Sequence, residues 1–146
     1  MITEVKNVSK KINSKSIIKN VDFHLNQGEI VALVGPNGAG KTTLLKLITN
    51  LISPDSGTIK IYDKDVTVQA EEALSNIGFM QDSSVLYTHL SGYDHLKFIS
   101  GIRKVSKDRI KEVVSNLKMD EYIHRKVKSY SLGMKQHLSL AIVLLN

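Results

Sequence analysis

A chain of 146 residues with 42% apolar and 23% charged side chains is long enough for one globular domain with a real core, and too apolar to be disordered. It contains no cysteine, which excludes a disulfide scaffold and a thiolate metal site and fits a reducing compartment. Twenty Lys and Arg against fourteen Asp and Glu leave a formal charge of +6, a balance that favours nucleotides, nucleic acid or an acidic membrane surface, with a solvated basic surface as the plain alternative.

The start, Met1–Lys6, lacks the apolar stretch of a secretory signal, so a cytoplasmic location is expected. Ile2, Val5 and Val8, and then Ile17, Ile18, Val21, Phe23 and Leu25, read as strands separated by a polar turn over Lys10–Ser16. Asn26-Gln27-Gly28 is a turn, and Glu29–Val34 is a short β-branched run of the kind buried on both faces of a parallel sheet. A helix is predicted over Thr42–Leu51, ended by Ser53-Pro54-Asp55-Ser56-Gly57, with strands over Thr58–Tyr62 and Ile77–Met80. The pattern then turns helical. Ser91 with Asp94 forms a capping-box start, Ser106 is an N-cap for Lys107–Leu117, and Ser131 opens a last helix carrying Met134, Leu138, Ile142 and Leu145 on one side. The longest apolar runs, Ile30–Val34 and Ala141–Leu145, fall far short of the ~20 residues that cross a bilayer. The five histidines show no metal-ligand spacing, and His124–Lys128 reads as a solvated basic loop.

The strongest signal is Gly35-Pro36-Asn37-Gly38-Ala39-Gly40-Lys41-Thr42-Thr43, an ungapped G-x-x-x-x-G-K-[ST] between a predicted strand and a predicted helix. Glycines let such a loop curl so that its N–H groups point inward, and the helix adds its positive dipole end to the same spot. The spacing predicts that Lys41 reaches the β- and γ-phosphates of a nucleotide, that the Thr42 hydroxyl sits on Mg²⁺, and that Thr43 bonds the α-phosphate. A bare glycine turn has no need for Lys-Thr directly after its last glycine.

Five segments, in order, resemble the ATP-binding subunit of an ABC transporter: GPNGAGKTT at Gly35–Thr43, SPDSGTIKI at Ser53–Ile61, IGFMQ at Ile77–Gln81, LYTHLSGYDHL at Leu86–Leu96, and YSLGMKQ at Tyr130–Gln136. The resemblance covers the chain, and the SLGMKQ variant is similar to that of bacterial drug and peptide-antibiotic exporters. It implies an α/β P-loop NTPase fold of the ABC ATPase type, with an antiparallel β subdomain and a helical subdomain, and with the C-terminal core strands missing. The implied division is 1–81 for the β subdomain and phosphate-loop core, 82–130 for the helical subdomain, and 131–146 for the signature motif and its helix.

The same resemblance assigns Gln81 to the Mg²⁺ shell beside Thr42, and places Ile12 where the family carries an aromatic residue on the adenine. Ile12 offers apolar contact without stacking. Ser131, Leu132, Gly133 and Met134 correspond to the signature, which in the family completes the ATP site of the opposite subunit; here the first glycine and the glutamine of L-S-G-G-Q are replaced, and His137 stands where arginine is common. The implied partners are ATP, Mg²⁺, a second copy in a head-to-tail dimer, and a transmembrane permease subunit, with no nucleic acid. The implied place is the inner face of the cell membrane.

The family's Walker B aspartate, catalytic glutamate and switch histidine belong beyond the signature helix, and neither Asp82 nor Asp120 ends an apolar strand. The residues present are therefore expected to bind nucleotide without turnover of their own, with Gln81 in a supporting role and no catalytic residue. Without flanking strands, Glu29–Val34 is expected to leave apolar edges open and the chain prone to aggregate. Two alternatives remain: a catalytically inactive ATP-binding fragment or regulator, and an ABC-type protein working on ribosomes or nucleic acid.

Overall fold

The computed structural model describes residues 1–80 and 85–145. The chain divides into two compact units, Met1–Ile77 and Gly78–Asn146.

The first unit is built on a hairpin. Strands β1 (Thr3–Ile12) and β2 (Lys15–Leu25) pair antiparallel from Thr3↔Leu25 to Ile12↔Lys15. Only Asn13 and Ser14 turn the chain, both at positive φ (47° and 64°), as a two-residue hairpin loop matched to strand twist requires. The polar stretch Lys10–Ser16 is thus mostly strand, because its side chains face solvent while its backbone still pairs. Strand β3 (Ser56–Ile61) adds to the other edge of β1, and the short β4 (Lys64–Asp65) completes the order β2-β1-β3-β4. Where β3 begins, Gly57 sits at φ +85° with the carbonyls of Lys6 and Asn7 occupying the space a Cβ would need. Only glycine can bring β3 this close.

Helix α1 (Lys41–Ile48) lays Leu44 and Leu47 on Val5, Val8, Ile18, Ile59 and Ile61, and α2 (Ala70–Leu74) adds Ala73 beside Val66. It stops three residues short of the predicted end. Asn50 turns left-handed at φ +51°, and the Leu51 N–H donates back to the Lys46 carbonyl at 2.8 Å. Asp55 then fixes the return to the sheet by accepting from Lys10 Nζ (2.7 Å) and the Lys11 N–H (2.6 Å).

Two predicted strands do not form. Glu29–Val34 is irregular, with Ile30 fully exposed and Val34 87% exposed, and 77–80 is likewise outside any strand. A parallel strand exists only by pairing. The four-stranded antiparallel sheet uses β1 to β4 with one another, so no described strand flanks either run.

The second unit packs α3 (Gly92–Arg103), α4 (Lys107–Asn116) and α5 (Leu132–Leu144) around Leu96, Ile110, Val113, Met119, Ile123 and Leu138. Serine caps open all three. Ser91 accepts from the Asp94 N–H (3.1 Å) while Asp94 accepts from the Ser91 N–H (3.0 Å), and Ser106 accepts from the Arg109 N–H (3.2 Å). Among the described residues, no helix is long and apolar enough to cross a membrane.

Candidate nucleotide site

The loop before α1 is shaped by two left-handed glycines, Gly38 at φ +83° and Gly40 at φ +91°. A Cβ on Gly40 would press on Ile18 Cδ1 at 2.9 Å and Ile17 Cγ2 at 3.2 Å, so glycine here meets both a conformational and a steric demand. Gly40 is also the N-cap of α1 and offers no side chain to the helix start. The N–H groups of Lys41, Thr42 and Thr43 accordingly form no hydrogen bond with any described residue. The first turn carries no acidic residue. Lys41 folds back over the loop, its Nζ donating to the carbonyls of Gly35 (2.6 Å) and Pro36 (2.8 Å). A cation and a set of bare N–H donors thus converge with nothing negative among them, which is the electrostatic requirement for a polyanion.

A cleft of about 370 Å³ opens on this loop, lined by Asn37, Gly38, Gly40, Lys41, Thr42 and Thr43, and beyond the loop by Ile12 and Ile17. Ile12, at the last rung of the hairpin, therefore stands beside the glycine loop, although 22 residues lie between it and Gly35 in sequence. Gly35, Pro36 and Ala39 do not line the cleft; the first two hold Lys41, and the Ala39 N–H closes the loop on the Pro36 carbonyl at 3.2 Å. Gln81 lies outside the described residues. Ile17, read from the sequence only as a strand residue, also lines the cleft, while its partly buried side chain packs on the core of the first unit.

In the second unit, Ser131 caps α5 by accepting from the Met134 N–H at 3.2 Å, and the Met134 thioether reaches back to the Ser131 N–H at 3.5 Å. Ser131, Leu132 and Gly133 are exposed and Met134 is half-buried. The preceding Tyr130 anchors this turn. Its hydroxyl donates to the carbonyl of Tyr122 at 2.9 Å, with Ile123's carbonyl at 3.3 Å. Its ring meets Tyr122 edge-on at 5.2 Å, and burial pushes its hydroxyl pKa up. Gly92 leaves room for that hydroxyl, since a Cβ there would lie 2.5 Å from it. His137 shares a 3.2 Å hydrogen bond with the Tyr122 hydroxyl. His95 is buried with both ring nitrogens engaged, Nε2 accepting from the Tyr87 N–H (3.0 Å) and Nδ1 paired with the Ser91 carbonyl (2.8 Å).

Residues 18–146 match the ABC transporter family model. The chain belongs to the ABC transporter family. Among curated proteins it is 39% identical over 146 residues to YhcH, an uncharacterized ABC transporter ATP-binding protein of Bacillus subtilis (strain 168), covering 99% of this chain and 48% of that protein. It is 35% identical over 143 residues to SrtF, a lantibiotic transport ATP-binding protein of Streptococcus pyogenes, covering 98% of this chain and 61% of that one. Among solved structures, an ATP-binding subunit of an ABC transporter superposes with a TM-score of 0.86 at 26% identity, over 99% of this chain and 62% of the other. The chain spans about half to three fifths of the length of these relatives. The family fold predicted from the sequence, a P-loop ATPase of the ABC type with an antiparallel β part and a helical part, is therefore the fold of this ABC chain.

Proposed function

We propose that this chain binds ATP with Mg²⁺ at the loop Gly35–Thr43. The observation that carries this reading is the bare start of α1, where three N–H groups without a partner among the described residues and Lys41 border one cleft. The site fits the group. Lys41 would leave the carbonyls of Gly35 and Pro36 for the β- and γ-phosphates, the loop N–H groups would hold the triphosphate, and Thr43 would bond the α-phosphate. Thr42 would offer its hydroxyl to Mg²⁺, with Gln81 as a further ligand; the ion's chemistry is to neutralise the triphosphate. Ile12 would take the base.

Further proposals extend to the whole protein. Ser131, Leu132, Gly133 and Met134 would complete the nucleotide site of a second, head-to-tail copy. ATP hydrolysis in the complete ATPase domain would then drive a transmembrane permease subunit through the region 81–96. Solute export is the direction favoured, by the SLGMKQ variant and by the likeness to a lantibiotic transport protein. The working location would be the cytoplasmic face of the cell membrane. The proposed division is 1–81, 82–130 and 131–146 for β subdomain with phosphate loop, helical subdomain, and signature segment.

Calorimetric titration with Mg²⁺–ATP tests the central reading. Lys41→Ala is expected to weaken binding roughly 10- to 100-fold, the worth of a hydrogen-bonded charge pair, with the circular dichroism spectrum unchanged. Equal affinity in the variant would sink the assignment.

A further inference from the structure

The exposed turn Ser131–Gly133 is anchored on both sides by side chains that lie against the helical core. After it, Met134 packs half-buried on that core; before it, Tyr130 is buried within it. Tyr130 carries a hydroxyl into this apolar setting, and a buried hydroxyl needs a partner. It finds two, the carbonyls of Tyr122 at 2.9 Å and Ile123 at 3.3 Å.

Each of these carbonyls already has a backbone donor. Tyr122's accepts from the Arg125 N–H at 2.9 Å, and Ile123's accepts from the Tyr93 N–H at 2.8 Å. The hydroxyl is therefore not required to satisfy either carbonyl. What it does is join three pieces of chain at one point: the turn 122–125, the first turn of α3 through Tyr93, and the residue that leads into Ser131. The fit is close, since a Cβ on Gly92 would lie 2.5 Å from the hydroxyl oxygen and 2.9 Å from Ile123 Cδ1. Packing alone would hold a phenylalanine ring in this place, whereas the hydroxyl adds a directional bond.

From this we infer that Tyr130 is a positioning residue for the signature contact: its hydroxyl fixes where Ser131 and Gly133 stand before a second copy arrives. The inference rests on the proposed role of Ser131–Met134 in completing the nucleotide site of that copy. A turn ordered in advance loses less freedom on association than one that association itself must order.

The test is light scattering of the complete protein with saturating Mg²⁺–ATP, for the natural sequence and for Tyr130→Phe. Both carbonyls keep their backbone donors and the ring keeps its packing, so phenylalanine is compatible with the fold. The protein concentration at half-dimerisation is expected to rise roughly 3- to 10-fold, as loss of one hydrogen bond allows. Calorimetric affinity for the nucleotide is expected to stay the same. Gly92→Ala, which crowds the hydroxyl without removing it, is expected to repeat the loss. Ile110→Val trims the buried core on α4 and lowers stability with the hydroxyl untouched, and its midpoint is expected within about twofold of the natural one. A Tyr130→Phe midpoint within that same range overturns the inference and leaves the signature reading standing. An equal loss in Ile110→Val also overturns it, since stability rather than position would then set the dimer. Absence of a dimer of the natural protein overturns the signature reading and the inference together.

Discussion

Helix α1 and the helices α3, α4 and α5 begin in opposite ways. The latter three start at Ser91, Ser106 and Ser131, each of which accepts a hydrogen bond from an N–H of its own first turn. Helix α1 starts at a left-handed glycine with no cap. A serine cap is worth about 1 kcal/mol over alanine but only a few tenths over glycine, so α1 forgoes a little of the stability that α3, α4 and α5 take. The start of α1 leaves its first N–H groups open to the phosphate that the proposed function requires; α2 also lacks a side-chain cap, so an open start marks a site only together with Lys41 and the glycine loop. Ser131 stands between the two cases, since its hydroxyl caps α5 and, in the proposed dimer, also meets a γ-phosphate.

Four substitutions or titrations break or sharpen this contrast. The largest effect is expected from saturating nucleotide: at a ligand concentration 100 times the dissociation constant, binding adds about 2.7 kcal/mol and raises the melting midpoint by roughly 5 to 10 °C. Lys41→Ala is expected to cut that gain to about 0.4 to 1.4 kcal/mol at the same nucleotide concentration, as a 10- to 100-fold weaker dissociation constant requires. Scanning calorimetry reads both, and an equal upshift in the variant would remove the bare helix start from the binding account.

Next is Gly57→Ala, which pushes a methyl group onto the carbonyls of Lys6 and Asn7 at a left-handed position; a loss of about 2 to 3 kcal/mol in urea unfolding is expected. Unlike loss of Lys41, this change should lower stability without a specific effect on nucleotide affinity in the folded fraction.

Ser131→Ala is expected to cost about 1 kcal/mol, and Ser131→Asn to restore most of it, because asparagine caps as well as serine. Light scattering with Mg²⁺–ATP separates the two roles of this residue: both variants should lose nucleotide-dependent dimerisation of the complete protein. Dimerisation restored by Ser131→Asn would reduce Ser131 to a cap.

The smallest effect is a pH dependence. The Ser91 hydroxyl, followed by the Ser91 N–H, holds the Asp94 carboxyl below its ordinary value. A carboxyl depressed on folding contributes stability above its unfolded pKa and loses it as the pH falls through the folded value. The stability gap between the natural chain and Ser91→Ala should therefore be full at neutral pH and narrow below the ordinary carboxylate range. A gap that stays constant on acidification would show that Asp94 takes no part in the cap. The bare start of α1 has no acidic residue in its first turn and provides no counterpart titration.

Much of the site was legible because it is local. The spacing of Gly35, Gly40, Lys41 and Thr42 encodes backbone curvature, charge and hydroxyl within one stretch, and no distant contact is needed to read it. The caps at Ser91, Ser106 and Ser131 were legible for the same reason, each being a bond across three residues. Ile12 was reached through family resemblance alone, and Ile17 was not reached, because the hairpin that carries them to the loop is a long-range arrangement. Asp55 was read as part of a turn; its grip on Lys10 and Lys11 joins positions 44 and 45 residues apart and left no local signal.

By itself, then, the sequence determined the glycine-rich loop and the helix starts, which follow from short-range pattern, and the family, which follows from the resemblance of five ordered segments. Tertiary structure alone decided which apolar runs become strands. Glu29–Val34 has the composition of a buried strand and yet stays irregular and exposed, whereas the polar Lys10–Ser16 is mostly strand. The reason is that a strand's hydrogen bonds are supplied by another strand: apolar composition makes burial favourable, but only a paired neighbour can satisfy the backbone.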